Sequence, residues 1–123
     1  PMVNYSFSRE LRILTPANFQ KVFKNPLRAG SPQLTILACP NDLDHPRLGL
    51  AIPKKQLKLA VDRNQVKRVI RDNFRLKQHD LLPLDYVVIA KGGIGKLDNE
   101  ELNKLTNKLW KKIARRFKEQ QQR

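Results

Sequence analysis

The chain has 123 residues, the size of one domain with a single hydrophobic core. Its 25 Lys and Arg residues against 11 Asp and Glu residues leave a formal charge of +14, which is typical of proteins that bind a polyanion. One cysteine, Cys39, excludes an internal disulfide framework, and no apolar run approaches the roughly 20 residues of a membrane span. We expect one cytoplasmic domain over residues 1–123, in which Pro1 is a remnant of cloning and residues 119–123 are frayed.

The first half of the chain predicts one helix followed by two strands. Thr15 as N-cap and Pro16 at the first helical position begin a helix that ends before Pro26. The segments 33–39 and 47–52 are rich in apolar residues and are bounded by turn-forming residues, which predicts two strands.

The second half predicts a helix, a strand and a last helix. From about residue 59 to residue 77 the apolar residues recur at helical spacing, and 85–90 is the most β-prone segment of the chain. A glycine-rich loop at 92–95 leads to a helix that Asp98 or Asn99 caps. Helices mixed with strands around a small central sheet predict the α+β class, or α/β with a short crossover.

The helix over residues 59–77 carries the strongest functional signal, because its outer side is basic and its inner side is apolar. The basic side comprises Arg63, Asn64, Lys67, Arg68, Arg71 and Arg75, and the apolar side comprises Val66, Val69, Ile70 and Phe74. Cations four residues apart repel each other by roughly a few tenths of a kcal/mol per pair, and glutamates would relieve this at no cost to the fold. Guanidinium groups about 6 Å apart match a phosphate backbone, so we interpret this side as a nucleic-acid-binding surface.

Two other interpretations of this helix are a solvated face without a ligand and an amphipathic helix that binds an anionic membrane or a calmodulin-like groove. The charge of the whole chain argues against the first, and the absence of an interfacial Trp from a short apolar side argues against the second. The sequence has no helix-turn-helix, zinc-finger or basic-zipper pattern, so structured RNA is weakly favoured over DNA.

The last helix also has basic residues opposite its leucines. They are Lys104, Lys108, Lys111, Lys112 and Arg115. These residues either add nonspecific attraction to RNA or simply keep an amphipathic helix soluble.

No catalytic constellation is evident in the polypeptide. His45 and His79 could be the base and the acid of a two-histidine nuclease, but both stand in turn-like surroundings typical of surface histidines. The aspartates and Cys39 have no metal-ligand spacing, and the loop at 92–95 lacks the Lys-Ser/Thr of a phosphate-binding loop. We expect no catalytic residue and no metal ligand in this chain.

Four segments of the chain resemble the protein subunit family of bacterial ribonuclease P, in the same order and with compatible spacing. They are Arg9-Glu10-Leu11-Arg12-Ile13-Leu14-Thr15-Pro16 with Phe19-x-x-Val22-Phe23, then Pro46 to Lys55, Arg63-Asn64-x-x-Lys67-Arg68-x-x-Arg71, and Asp85 to Lys91. The departure from the family pattern is Gln65, where the family usually has an Arg. Glutamine can hydrogen-bond a ribose or a base but brings no charge.

The resemblance implies an αββαβα order with a left-handed βαβ crossover, an exception to the right-handed rule, in a fold shared with a ribosomal-protein domain. It also implies that the protein assists a catalytic RNA in removing the 5′ leader of precursor tRNA, with Mg²⁺ held mainly by the RNA subunit and the substrate. The implied partners are ribonuclease P RNA and precursor tRNA, with no membrane and no obligatory protein partner. The polypeptide alone is expected to be inactive.

The resemblance assigns roles to two sets of residues. The residues expected to bind the RNA subunit are Arg63, Asn64, Gln65, Lys67, Arg68, Arg71, Lys54 and Lys55. The residues expected to form a cleft for the single-stranded leader are Phe19, Phe23, Leu34 and Ile36. Aromatic rings in a cleft would stack on unpaired bases without requiring a particular sequence. Core packing is the alternative role of the second set.

Two functions of other classes are alternatives. A ribosomal-protein-like or RNA-chaperone protein would have the same size and charge and would bind RNA without a role in cleavage. A protein-only nuclease would use His45 and His79 and would cut RNA with no RNA subunit present.

Overall fold

The computed structural model describes residues 4–122, so Pro1 and Arg123 lie outside the described residues. The helices are α1 (Pro16–Lys24), α2 (Ala60–Lys77) and α3 (Asn99–Gln121), and the strands are β1 (Leu27–Gly30), β2 (Leu34–Pro40), β3 (Arg47–Ala51) and β4 (Leu84–Ala90). The α+β class is confirmed. Residues 119–121, part of the segment expected to fray, belong to α3. Over residues 4–122 every helix is too short or too polar to cross a membrane.

Local sequence signals begin α1 and α3. Thr15 Oγ1 accepts a hydrogen bond from the backbone N–H of Asn18 (3.2 Å), and Pro16 occupies the first helical position. Asp98 and Glu101 form a capping box, because each side chain accepts a hydrogen bond from the other residue's backbone N–H at 2.8 and 3.0 Å. Of the two candidates for the last N-cap, Asp98 is therefore the one used.

The four strands form one sheet in the order β1-β2-β4-β3. β2 pairs antiparallel with β1 and β4, whereas β3 pairs parallel with β4 and is connected to it through α2. The expected βαβ unit is therefore β3–α2–β4, and the handedness of its crossover stays a prediction. A bridge between Arg12 and Leu48, with a hydrogen bond from Ile13 N–H to the Leu48 carbonyl (3.0 Å), covers part of the outer edge of β3.

The expected αββαβα order lacked β1 and is wrong in that respect. This strand has four residues, and Gly30 and the absence of any β-branched side chain give it little strand signal of its own. It forms because its residues pair with β2 from Leu27↔Ala38 to Gly30↔Thr35, while Ala29 is buried in the core. Long-range pairing therefore outweighs the weak local propensity.

The two faces of the sheet are covered differently. α2 and α3 pack on one face over the larger core cluster, which includes Phe74, Tyr86 and Trp110. The shorter α1 packs on the other face over a smaller cluster. That cluster consists of Ile13, Val22, Leu37, Cys39 and Val87, with Phe19 and Ile89 at its margin. The two faces thus present different surfaces to a ligand, helical on one side and partly sheet on the other.

A buried amide joins α2 to α3. Asn73 Nδ2 donates to Oδ1 of Asn107 (2.8 Å) and to Oδ1 of Asn103 (3.1 Å). Asn73 Oδ1 accepts a hydrogen bond from Nε1 of the buried Trp110 (2.8 Å). These bonds fix the position of α2 along α3, and with it the position of the basic side of α2.

Candidate nucleic-acid interface

The cations of α2 differ in how far they are free to reach a ligand. Arg63 is half-buried, and its Nη1 donates to the backbone carbonyls of Leu57 and Lys58, both at 2.8 Å. This arginine therefore holds the loop that enters α2 in place. Its guanidinium has further N–H groups, so a role in holding the loop does not exclude a phosphate contact.

The outer side of α2 presents unpaired polar and basic side chains. Asn64, Arg68 and Arg71 are exposed, and Lys67 is half-buried. In the part of the chain that the structure describes, none of these three cations forms an ion pair, whereas Arg75 is paired with Asp72 at 3.0 Å. The free cations thus form a compact positive surface over little more than one turn of helix.

This surface borders two different concavities. Lys67 and Arg71 line a cleft at the β3 edge, together with Phe7, Arg12 and Phe19. We call it the leader cleft after the role that the resemblance leads us to expect. Arg68 lies on the other side of α2, in the groove against α3, where Gln65 Nε2 donates to Asn99 Oδ1 at 3.4 Å. Gln65 is exposed and faces the start of α3. The resembling family usually has an Arg at this position, so this side of α2 carries one positive charge fewer here.

The leader cleft combines aromatic rings with cations. The ring of Phe19 lies against Gly49 of β3, and the guanidinium of Arg12 stands 5.0 Å from the ring centroid of Phe7. Phe23 lies one turn beyond Phe19 on α1 and is 48% exposed, outside the lining of the cleft. Neither Phe7 nor Arg12 was among the expected cleft residues, although Arg12 belongs to a segment that resembles the family.

The expected position of Leu34 and Ile36 in the leader cleft is wrong. Both are 0% exposed and belong to the core cluster beneath α2 and α3. The residues of β2 that face α1 are Leu37 and Cys39, because successive side chains of a strand point to opposite faces of the sheet. Leu34 and Ile36 are therefore core residues.

Lys54 and Lys55 are exposed in the turn between β3 and α2. The turn is closed by hydrogen bonds from the backbone N–H groups of Gln56 (3.0 Å) and Leu57 (3.3 Å) to the Pro53 carbonyl. Among residues 4–122 neither lysine has an ion-pair partner. The two charges are thus uncompensated and lie in the segment that leads into α2.

The two histidines contact nearby backbone groups. His45 Nδ1 lies 3.1 Å from the Pro46 carbonyl oxygen, and His79 Nε2 is hydrogen-bonded to the Asn4 carbonyl while its ring stacks edge-on against Tyr5. Residues 4–122 contain no group of three or more His, Cys, Asp or Glu side chains that could hold a metal ion.

One strong ion pair lies where β3 and β4 begin. Arg47 donates from Nε and Nη2 to the two carboxylate oxygens of Asp85 at 2.7 and 2.6 Å, and Asn41 Nδ2 donates to the same carboxylate at 3.0 Å. The hydrogen bond to Asp85 raises the pKa of Arg47. Asp85 is buried, so this cluster fixes β3 against β4 and leaves no free charge for a ligand.

Comparisons with known proteins agree with this geometry. A family model described as Ribonuclease P matches residues 7–114. The chain is 61% identical over 114 residues to the ribonuclease P protein component of Photobacterium profundum, covering 93% of this chain and 97% of that protein. The RNase P protein of Staphylococcus aureus superposes with a TM-score of 0.78 at 31% identity, covering 82% of this chain and 93% of that chain. The RNase P protein from Thermotoga maritima in complex with 1-(4-fluorophenyl)-2-thiourea gives a TM-score of 0.73 at 27% identity, with coverage of 80% and 97%.

The fold, the free cations of α2 and the aromatic cleft beside them define a small RNA-binding protein of the α+β class. The family match over most of the chain and the high identity to a curated relative then identify the protein family. This chain belongs to the ribonuclease P protein family. Its biochemical role is that of the protein component of an endoribonuclease that processes tRNA.

Proposed function

We propose that this chain binds the catalytic RNA of ribonuclease P through α2 and holds the 5′ leader of precursor tRNA in the leader cleft. One observation carries the proposal. Lys67 and Arg71 of α2 line the same concavity as the rings of Phe7 and Phe19, so one site offers both phosphate-binding cations and base-stacking rings. Single-stranded RNA needs both kinds of contact, because its bases are unpaired and its backbone is charged.

The basic side of α2, from the rim of the cleft at Lys67 and Arg71 to the groove against α3 at Arg68, is proposed to bind the RNA subunit. The contacting residues would be Asn64, Arg68 and Arg71, with Arg63, Gln65, Lys67, Lys54 and Lys55 around them. Unpaired arginines can each grip a phosphate with two N–H groups, and release of counterions from the RNA then favours assembly. Arg63 would contribute partly by holding the loop before α2.

The leader cleft is proposed to make precursor tRNA bind better than mature tRNA. Phe19 lines the cleft, and the exposed Phe23 extends the aromatic surface one turn further along α1. Stacking of a base on an aromatic ring is worth about 1–3 kcal/mol and tolerates any sequence. A leader present only in the precursor would gain this contact, and the mature product would not.

The chemistry is proposed to belong to the RNA subunit. Mg²⁺ would supply the activated water and stabilise the developing charge during phosphodiester hydrolysis. The leader cleft offers cations and rings, which do not suit a metal that prefers carboxylate and carbonyl oxygens. The protein residues would neutralise phosphates and orient the leader. We expect this reaction in the cytoplasm, where the free, buried Cys39 would stay reduced.

The test compares the affinities of precursor and mature tRNA for the RNA subunit alone and for the holoenzyme assembled with this chain. We expect the precursor-to-mature affinity ratio to rise at least about fivefold with the protein, since one stacked base contributes about 1 kcal/mol. An unchanged ratio, together with tight binding of the protein to the RNA subunit, would instead indicate a purely structural RNA binder.

A further inference from the structure

Basic side chains form one continuous row along the exposed side of α3. On a helical wheel they fall within an arc of about 80°, and the row is about 21 Å long at 1.5 Å per residue. The residues of this α3 row are Lys104, Lys108, Lys111, Arg115 and Lys118, all of which are exposed. The arc lies opposite the fully buried Leu109 and Ile113, so the row occupies the outermost line of the helix.

Helix stability does not account for the row. From residue 102 to residue 118 the sequence has seven basic residues and no acidic one. Acidic residues are confined to the first turn and to Glu119, and in the first turn Asp98 and Glu101 cap the helix while Glu100 pairs with Lys104 at 3.2 Å. Glutamates placed four residues from the lysines would stabilise the helix by about 0.2–0.5 kcal/mol per pair, whereas the cations present repel one another.

The charge of the row is largely uncompensated. Across the described range, residues 4–122, the four cations after Lys104 have no ion-pair partner. A row of this length on one rigid helix keeps its charges at fixed spacing before any ligand arrives. Such an arrangement matches the regular spacing of phosphates along a nucleic-acid backbone.

The row offers phosphate contacts without a surface for bases. Trp110 is only 4% exposed and donates its Nε1 hydrogen bond to Asn73, and the half-buried Phe117 packs against the core. No aromatic side chain on this outer line could stack on an unpaired base, so base-paired RNA suits the row better than single-stranded RNA. Membrane binding would need apolar side chains flanking the charges, and those of α3 are turned into the core.

The α3 row is distinct from the surfaces proposed above for the RNA subunit and the leader. α2 and α3 lie side by side on one face of the sheet, joined by the Asn73 hydrogen bonds, and the groove between them contains Asp72 and Asn103. The leader cleft lies at the β3 edge, on the other side of α2. We propose that the α3 row is a second RNA-binding surface, which holds the phosphate backbone of a double-stranded RNA segment beside the segment bound by α2.

The test uses two variants of the full chain that lose the same charge. The row variant carries Lys108→Gln, Lys111→Gln and Arg115→Gln. The control variant carries Arg9→Gln, Lys96→Gln and Arg116→Gln, which are exposed and lie off the row. Glutamine is close to lysine and arginine in helix propensity, so both proteins should fold, which circular dichroism and thermal unfolding would verify.

Two arms identify the source of the RNA duplex. Both arms measure binding against salt concentration. The first uses each variant and ribonuclease P RNA, and the second uses each holoenzyme with precursor or mature tRNA. If the RNA subunit supplies the duplex, the row variant should lower the slope of log K against log salt by about three in the first arm, roughly one per lost phosphate contact. If tRNA supplies the duplex, the row variant should lower the salt slope of tRNA binding in the second arm, by the same amount for precursor and mature tRNA.

Arg68→Gln serves as a reference because it tests the α2 surface independently. A lowered slope for Arg68→Gln with no difference between the row variant and the control variant in either arm would overturn the proposal while leaving the α2 interface standing. A row variant that loses affinity for a single-stranded oligonucleotide but not for duplex RNA would also overturn it. An unchanged slope for Arg68→Gln would count against the α2 interface and not against the α3 row.

Discussion

The ring of Phe19 on α1 lies directly against the backbone of Gly49 on β3. A Cβ atom at position 49 would stand 2.6 Å from both Cε1 and Cζ of that ring, well inside the contact distance of two non-bonded carbon atoms. Glycine at this position therefore lets the ring lie against the strand as part of the leader cleft. The contact couples a backbone position of the sheet to the aromatic lining that we propose for the leader.

Gly49→Ala should displace the Phe19 ring and so weaken leader binding. We expect a loss of stability of about 1–3 kcal/mol from overpacking and a lower precursor-to-mature affinity ratio in the holoenzyme. Gly30→Ala is the matched control, since its Cβ would meet only Thr35 Oγ1 at an ordinary 3.6 Å. Equal affinity ratios for the two variants would contradict a role of the Phe19 position in leader binding.

Phe23→Ala should weaken the binding of precursor tRNA more than that of mature tRNA. Phe23 is 48% exposed, so its truncation removes little core packing and the fold should survive. The expected loss for the precursor is about 1 kcal/mol or more, the value of one stacked base. Leu43→Ala, at a comparably exposed apolar side chain in the β2–β3 loop, should change neither affinity. Equal losses for both RNAs would show that Phe23 does not contact the leader.

Arg68→Gln and Arg63→Gln should differ in their effects. Arg68 is exposed and unpaired among the described residues, so its loss should lower the salt slope of RNA-subunit binding by about one without changing the unfolding temperature. Arg63 donates to two backbone carbonyls, so its loss should lower both stability and RNA affinity. An Arg68 variant with an unchanged slope would place that side chain away from the RNA.

Asn73→Ala should destabilise the protein by about 2–4 kcal/mol, because it leaves the buried Trp110 N–H without an acceptor and opens a small cavity. Urea unfolding would measure this loss. Asn107→Ala, which removes one hydrogen bond from a half-buried side chain, should cost clearly less. Similar costs for the two variants would mean that the Asn73 amide does not join α2 to α3 as described.

The thiol of Cys39 should react slowly with iodoacetamide in the folded protein. Burial raises its pKa and the negative charge of Asp85 adds to this, although Lys21 and Arg47 oppose it. Since the unfolded chain releases the thiol proton first, this group should reduce stability as pH rises above about 8.5. Native and urea-unfolded protein would be alkylated in parallel at about pH 8. Equal alkylation rates for native and unfolded protein would show that the thiol is not buried and that its pKa is not raised.

Local signals allowed the ends of several elements to be predicted from the sequence. Thr15 and Asp98 act as N-caps as their side chains suggest, and the period of apolar residues places α2 within one residue of its observed start at Ala60. Each of these features depends on residues within about one helical turn of each other. These features can therefore be predicted from short segments of the sequence.

Features that depend on distant residues could not be predicted in the same way. Leu34 and Ile36 were placed on the wrong face because every residue from Leu34 to Cys39 is buried, so hydrophobicity did not distinguish one face of β2 from the other. Asn73 is a polar residue on the inner side of α2, and only its contacts with α3 explain it. Arg63 was expected to bind RNA because of its charge, but its hydrogen bonds to the preceding loop could not be predicted.

The most direct test of the central proposal is precursor-tRNA cleavage by a bacterial ribonuclease P RNA at low magnesium, with and without this chain. We predict cleavage at the mature 5′ end only when RNA and protein are both present, and none with the protein alone. Tight binding of the protein to the RNA without any stimulation of cleavage would contradict the proposed role in substrate binding. Cleavage by the polypeptide alone, abolished by His79→Ala, would contradict the placement of the chemistry on the RNA.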